Sequence, residues 1–516
     1  MKTKVSLPYV LMAILAVAGM VITYLSTPWG VLVDSDSYFY LTAAQNFISG
    51  AGLGRLSQAG QLIPLTHYPP LYPLLVAGFS IFTAGNVLLA ARILACLLFG
   101  GNSFLFGWLL ARYTHAPWAG LGGTIVFLVS SVTLSVIVAG LSEGIFLLLL
   151  MLALLCITEY QPLKGKAWLA GASVATALAC LSRYVGEVVV LAGLAGLLLH
   201  KNFPWKERLK TALIYGTATL VPMLIWYLRD WLLTGSTTNR TLVFHWPGRP
   251  ALYEAIATAA GWFLPGKVTL DNAEAFLLVT GLIGVIALGA WLLSARSRTL
   301  ENTEEKTLRF AGVLIVFIVS YCLSLLISRT FLDASTHWDT RILSPLYVTT
   351  ELLFACVVWY ATWANRAVWG KLIVMGLGLY LVWMNLPLSV AYLRNYAQAG
   401  YGYTNKAMQT SLAIAHIKST QTGYIFSNNA AAIFFNTGKL ADWIPEKYDS
   451  VKGLPRDDFQ QNLALMQAEM QVPGSLLVIF KPYLELIEYP PLSELTQGLV
   501  ILKNYKDATL YVAPDR

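Results

Sequence analysis

"PPLYPLLVAGFSIF", residues 69–82, is the stretch on which the topology of this chain turns. It is greasy enough for lipid, but at about 14 residues it falls short of the ~20 a helix needs to cross the hydrocarbon core. Pro64, Pro69, Pro70 and Pro73 also rule out a regular helix through its approach. The choice between a span and a short interfacial or re-entrant piece is made by the other loops. Apolar runs predict helices near residues 7–27, 87–111, 119–140, 143–159, 167–182, 185–200, 209–228, 272–294, 310–328, 342–362 and 370–391. If 69–82 does not span, "MKTK", Arg112, "PLKGK", "HKNFPWKERLK", "ARSRTLENTEEKTLR" and "NRAVWGK" share one side. Their Lys and Arg excess marks that side as cytoplasmic. A full span at 69–82 would throw every later basic loop outside, so the short reading wins. It predicts about eleven transmembrane helices, a cytoplasmic N-terminus and an outer face for everything after Ala391.

Composition agrees. The chain is 57% hydrophobic and 12% charged, against about 45–50% and about 25% for soluble domains. The net charge of +8 sits in short loops between spans, which topology explains without nucleic acid. Cys96, Cys156, Cys180, Cys322 and Cys356 lie inside apolar runs and read as small buried hydrophobes. The opening "MKTKVSLPYVLMAILAVAGMVITYL" reads as a retained first helix, not a cleaved signal. Two parts follow: a transmembrane module over 1–391, with a first outer loop at 28–86, and an extracytoplasmic region over 392–516. In that region "AMQTSLAIAHIK" and "QQNLALMQAEMQ" read as helices, while "GYIFS", "SLLVIF" and the pair within "LVILKNYKDATLYVA" read as strands. A small α/β domain is expected.

Charges of both signs gather in the outer loops, where ionisable groups near membrane depth tend to be functional. Asp34 and Asp36 stand one residue apart in "VLVDSDSYFY", beside an amphipathic, aromatic-rich helix. Asp36 alternatively reads as a plain N-cap for a helix starting at Ser37. His67 and Tyr68 stand at the entrance of the proline-rich piece, and irregular backbone at that depth implies a buried or cavity-lining position. Tight turns in "LSEGIF" and "LSRYVGEVV" put Glu143 and Arg183 at the same boundary. The densest polar loop, "SRTFLDASTHWDTRILSPLY", holds Arg329, His337 and Arg341. An Arg at a helix start opposes the dipole, so bidentate anchoring of a phosphate explains Arg341 better.

At these residues the chain resembles the GT-C superfamily of membrane glycosyltransferases, nearest to family 39 and the lipid A aminoarabinose-transferase-like group. "DSYFYLTAAQNFISGAGL" is similar to the family's D-E-x-x-Y-L-x-x-A-R-N-L-x-x-G-x-G stretch, and "YPPLYPLL" to its P-P-x-Y-P-L-L motif. "AARIL", "LSEGIF", "SRYVG" and "TRILSPLY" follow in the family's order, and "YIFSNNAAAIFFNTGK" is similar to a post-membrane strand. The resemblance covers roughly residues 1–440. It implies sugar transfer from a polyprenyl-phosphate donor to a lipid, polysaccharide or protein acceptor at the outer face of the plasma membrane. It matches Asp36, rather than Asp34, to the catalytic aspartate, and puts Arg183 and Arg341 near the donor phosphate. Ser37 replaces a common acidic residue, which leaves a divalent metal open and no other cofactor implied.

The residues suit that chemistry. A leaving phosphate needs cations, and an acceptor hydroxyl or amine needs a carboxylate to take its proton. Asp36 is the expected base, with Asp34 beside it; Arg183, Arg341 and Arg329 are expected on the donor phosphate, and His67, Tyr68, Glu143 and His337 around the substrate. The competing class is a transporter or flippase for a lipid-linked or anionic substrate. Such a protein would place its charges near the midplane of broken helices.

Overall fold

A computed structural model of the chain describes residues 6–161, 165–199, 203–266, 268–269, 271–272, 274–276, 278, 302–363, 368–484 and 486–514. The deciding stretch forms a ten-residue helix, α3 (Leu71–Ser80). It lies between two long helices, α1 (Leu7–Ser26) and α4 (Val87–Tyr113), and is shorter than a membrane span needs to be. Before it come α2 (Ser35–Ile48) and an antiparallel pair, β1 (Gly54–Leu56) and β2 (Leu62–Pro64).

The bundle continues with α5 (Pro117–Val129), α6 (Ser131–Ile137), α7 (Glu143–Glu159), α8 (Lys166–Ser182), α9 (Glu187–Leu198) and α10 (Trp205–Thr234). After α11 (Arg249–Gly261) come α12 (Asn302–Phe331), α13 (Thr340–Trp363) and α14 (Val368–Ala399). The chain is a multi-pass helical membrane protein. Among the described residues six helices are long and apolar enough to cross a bilayer, and the bent pair α5–α6 makes a seventh. That falls short of the expected eleven. The helices α7, α8 and α9 have 17, 17 and 12 residues. Fourteen of the α7 residues are buried, and a helix walled in by protein need not match lipid thickness. The helix expected at 272–294 lies largely outside the described residues.

The expected single helix over 119–140 is two helices, bent by 61° at Ser130. Ser130 adopts extended backbone, and its side chain caps α6 through the Thr133 N–H. From α14, Asn385 Oδ1 accepts from the Ser131 N–H at 3.2 Å and its hydroxyl at 3.0 Å. Ser389 donates to the Val129 carbonyl at 2.7 Å. A broken helix is tolerated at membrane depth where neighbouring polar groups satisfy the freed backbone, and here α14 supplies them. Close approach of small residues holds α5 to α4: a Cβ on Gly107 would strike Thr124 and the Gly120 carbonyl.

The helix α14 runs to Ala399, past its expected end at residue 391. Beyond it lies a five-stranded sheet: β3 (Ile425–Ser427), β4 (Asp442–Trp443), β7 (Leu476–Phe480), β8 (Val500–Asn504) and β9 (Ala508–Val512), in the order β4-β3-β7-β9-β8. A small pair, β5 (Tyr448–Asp449) and β6 (Leu454–Pro455), stands apart. The central strand β7, "LLVIF", is buried throughout, as an unbroken apolar run packed on both faces should be. The expected terminal hairpin is present as β8 and β9. "NNAAAIFFNTGK" contributes a helix, Ala430–Thr437, after its strand. This region sits on the first loop: Gln58 bonds both backbone groups of Ile425, and Tyr403 N–H donates to the Val33 carbonyl at 2.8 Å. Gly402 at φ +71° lies so close to the Val33 backbone that no side chain fits.

Candidate active site

Five segments far apart in sequence meet at one end of the bundle. The start of α2 brings Asp34 and Asp36, the proline-rich loop Tyr68, the start of α7 Glu143, the turn after α8 Arg183, and the start of α13 Arg341. Arg341 is the hub. Its Nε donates to Glu143 Oε1, its Nη2 to Asp36 Oδ2, and its Nη1 lies 3.7 Å from Asp34 Oδ2. Arg183 pairs with Glu143 from the other side, and the Tyr68 hydroxyl donates to Asp36 Oδ1 at 2.6 Å. The cluster is graded in depth: the Glu143 side chain is 2% exposed, while Asp36 is 23% and Asp34 32% exposed. Glu143 therefore anchors the floor, and the two aspartates face the opening.

The cap assignment differs from the expectation. Helix α2 starts at Ser35, and Asp34, not Asp36, is its N-cap, accepting from the Ser37 N–H and hydroxyl at 2.9 Å each. Asp34 is thereby committed to the fold, and Asp36, in the first turn, is free of that duty. Burial raises the Asp34 carboxyl above its usual range, outweighing the pull of Arg341. Burial pushes Asp36 up as well, but Arg341, the Tyr68 hydroxyl and Arg183 together hold it below the usual carboxylate range. Asp36 is ionised at neutral pH. Burial, then the charge of Arg240, keeps His67 below the ordinary imidazole range and so neutral. Its ring meets Tyr68 edge-on with centroids 4.7 Å apart.

Other partners fix this mouth. Tyr184 donates to the Thr66 carbonyl at 2.8 Å, and Arg229 to the Leu65 carbonyl at 2.6 Å. These bonds satisfy backbone that the prolines keep out of helix. Tyr40 shares a 3.2 Å hydrogen bond with Ser142, next to Glu143.

Two expected members lie elsewhere. Arg329 and His337 both bind Glu254 of α11, at 3.2 and 2.9 Å, and the Trp338 N–H donates to the same carboxylate at 3.2 Å. The attraction is simple: Glu254 is the nearest partner for two cationic or polar groups on the 329–341 loop. Arg183 and Arg341, expected to present open forks to a phosphate, instead neutralise the buried carboxylates. Arg240 is one of the outer-loop charges, whereas Glu351 carries no sequence signal. Arg240 makes only a 3.5 Å contact with Asp333, and its buried Nε has no partner among the described residues. Glu351 carries buried carboxyl oxygens inside α13, one turn from Tyr347, whereas charges were expected at the outer face. Among the described residues no group of three or more His, Cys, Asp or Glu is placed to hold a metal ion.

None of the known protein-family models and none of the curated proteins matches the sequence. Solved structures do. The chain is similar to the crystal structure of ArnT from Cupriavidus metallidurans bound to undecaprenyl phosphate, with 12% identity, 98% of this chain and 99% of that one covered, and a TM-score of 0.53. It is also similar to the oligosaccharyltransferase of Archaeoglobus fulgidus in the apo form, with 13% identity, 93% and 70% covered, and a TM-score of 0.53. The oligosaccharyltransferase AglB from Archaeoglobus fulgidus, in complex with an inhibitory peptide and a dolichol-phosphate, gives 13%, 91%, 69% and 0.50. The chain therefore has the fold of the GT-C membrane glycosyltransferases.

Proposed function

We propose that this protein transfers a sugar from a polyprenyl-phosphate donor to a lipid, polysaccharide or protein acceptor at the outer face of the plasma membrane. The observation that carries the reading is Asp36. It is an ionised carboxylate at the mouth of the bundle, released from capping by Asp34 and held in place by Arg341 and Tyr68. The donor's isoprenoid tail stays in lipid while its phosphate reaches this mouth. The acceptor hydroxyl or amine attacks the anomeric carbon, Asp36 takes the proton, the bond to the carrier phosphate breaks, and that phosphate leaves with the electron pair. One displacement inverts the anomeric centre.

The arginines act in exchange. An entering phosphate competes with Asp36 and Asp34 for the Arg341 fork. Drawing the guanidinium away raises the basicity of Asp36 as the acceptor needs it, and Arg183 stays to balance Glu143. Arg240, with an uncommitted buried Nε, adds a contact for the phosphate, and His67 and Tyr68 line the approach. In this reading Arg329 and His337 position the loop through Glu254. The Lys and Arg excess of the basic loops supports the reading with the cluster end outside and the N-terminus in the cytoplasm.

Glu351 favours the second reading, a transporter or flippase, because an intramembrane carboxyl is that class's usual device. It lies about 15 Å along α13 from Arg341, at 1.5 Å per residue, outside the carboxylate cluster. The test is mass spectrometry of envelope glycans in a deletion strain. A lost sugar substituent, restored by the wild-type gene but not by Asp36→Asn, is expected; an unchanged glycan profile would remove the transferase reading.

A further inference from the structure

At the opposite end of the bundle from the carboxylate cluster, a cavity of about 520 Å³ opens between the ends of α1, α4, α5, α7 and α12. The volume is within the ~300–1,000 Å³ range of ligand pockets. Its wall combines charged and aromatic side chains: Tyr9, Trp108, Arg112, His115, Glu159 and Lys306.

The charges do not balance. The Glu159 side chain, 4% exposed, accepts from Arg112 Nε at 2.9 Å and from Lys306 Nζ at 2.7 Å. Two cations on one carboxylate leave a net positive charge. Both cations also keep donors in reserve. Arg112 bonds Glu159 through Nε and not through its terminal nitrogens, and its side chain is 35% exposed; that of Lys306 is 39% exposed. Trp108 packs its ring 5.2 Å from the Arg112 guanidinium and so fixes its direction. A clamp built only to join α4, α7 and α12 would turn these donors inward and leave no cavity beside them.

The surroundings say what kind of anion fits. Leu7 and Trp118, at the same ends of α1 and α5, are 60% and 62% exposed, as side chains facing lipid headgroups and acyl chains are. A guanidinium fork beside a lysine point charge suits a phosphate oxyanion. Basic pockets between spans are used for acidic lipid headgroups.

We propose that this cavity holds the phosphodiester of an acidic phospholipid, with Arg112 and Lys306 on the phosphate and Tyr9 and Trp108 against the glycerol backbone. The site is separate from the carboxylate cluster, and it stands whether or not that cluster transfers sugars.

The experiment uses the full chain purified in neutral detergent, with lipid binding read by native mass spectrometry and by thermal stability. Phosphatidylglycerol should bind more tightly than phosphatidylcholine and raise the melting temperature, while inorganic phosphate at equal concentration should not. Lys306→Gln should weaken phosphatidylglycerol binding by on the order of tenfold, the scale of one charge-assisted hydrogen bond. Arg112→Gln alone leaves Glu159 less compensated and risks unfolding, so it is paired with Glu159→Gln. Adding Lys306→Gln to that pair removes both cations together with their carboxylate; this triple variant should keep the fold and lose the preference for phosphatidylglycerol. Equal binding of the two lipids, or an undiminished preference in the triple variant, would overturn the proposal. Stabilisation by inorganic phosphate alone would overturn it too, in favour of a soluble-anion site.

Discussion

Asp36→Asn is expected to lower sugar transfer by about 10²–10⁴, the usual worth of general-base assistance, with the melting temperature shifted by no more than a few degrees. The amide keeps the size of the carboxylate; its oxygen still accepts from Arg341, and its NH2 faces the Tyr68 hydroxyl oxygen, which can accept from it. The helix does not depend on it, because Asp34 is the N-cap of α2. What disappears is the ability to accept a proton. Asp34→Asn is the natural control: asparagine caps as well as aspartate, so that variant should fold normally and lose far less activity. The measurement is turnover of both purified variants at matched thermal stability. Full activity in Asp36→Asn, or loss only through unfolding, would return Asp36 to a structural role.

Arg341→Lys should cost about a hundredfold in kcat/KM, with kcat carrying most of the fall. The guanidinium reaches Glu143, Asp36 and Asp34 with three different nitrogens. A lysine supplies the charge from a single point and cannot hold all three. Asp36 then drifts, and displacement of a catalytic group by about 1 Å is enough for a loss of that size. Had Arg341 only held the donor phosphate equally in ground state and transition state, KM would rise with kcat unchanged. Arg341→Gln is harsher. It leaves three carboxylates facing Arg183 alone, and removing one partner from a buried charge network costs about 3–5 kcal/mol. Steady-state kinetics on Arg341→Lys, alongside thermal unfolding of Arg341→Gln, separates the two effects.

Much of this architecture is written in local patterns. The prolines and length of 69–82 identify a helix too short to cross, and α3 is that helix. Asp36, Tyr68, Glu143, Arg183 and Arg341 each stood out because a charge or polar ring at the end of an apolar run is costly without a purpose. Their convergence needs only that α7, α8 and α13 end at the same side. Features that depend on distant partners were hidden. The break at Ser130 is supported by Asn385 and Ser389, more than two hundred residues later, so a hydropathy window passes straight through it. Arg329 and His337 were grouped with Arg341 because they share a loop, whereas Glu254 on α11 captures both. Which aspartate caps α2 is a matter of a two-residue shift in helix start, and helix boundaries are the least legible feature of any sequence. Arg240 reads from the sequence only as one of the outer-loop charges; its unfilled Nε is what singles it out.

The most direct measurement is carried out on the purified full chain in proteoliposomes, given a polyprenyl-phosphate-linked sugar labelled in the sugar, together with an envelope extract as acceptor. Release of free polyprenyl phosphate, in step with label transferred and with the anomeric configuration inverted, is predicted for the wild type and not for Asp36→Asn. A donor left intact by folded wild-type protein, or consumed equally by the Asp36→Asn variant, would contradict the account.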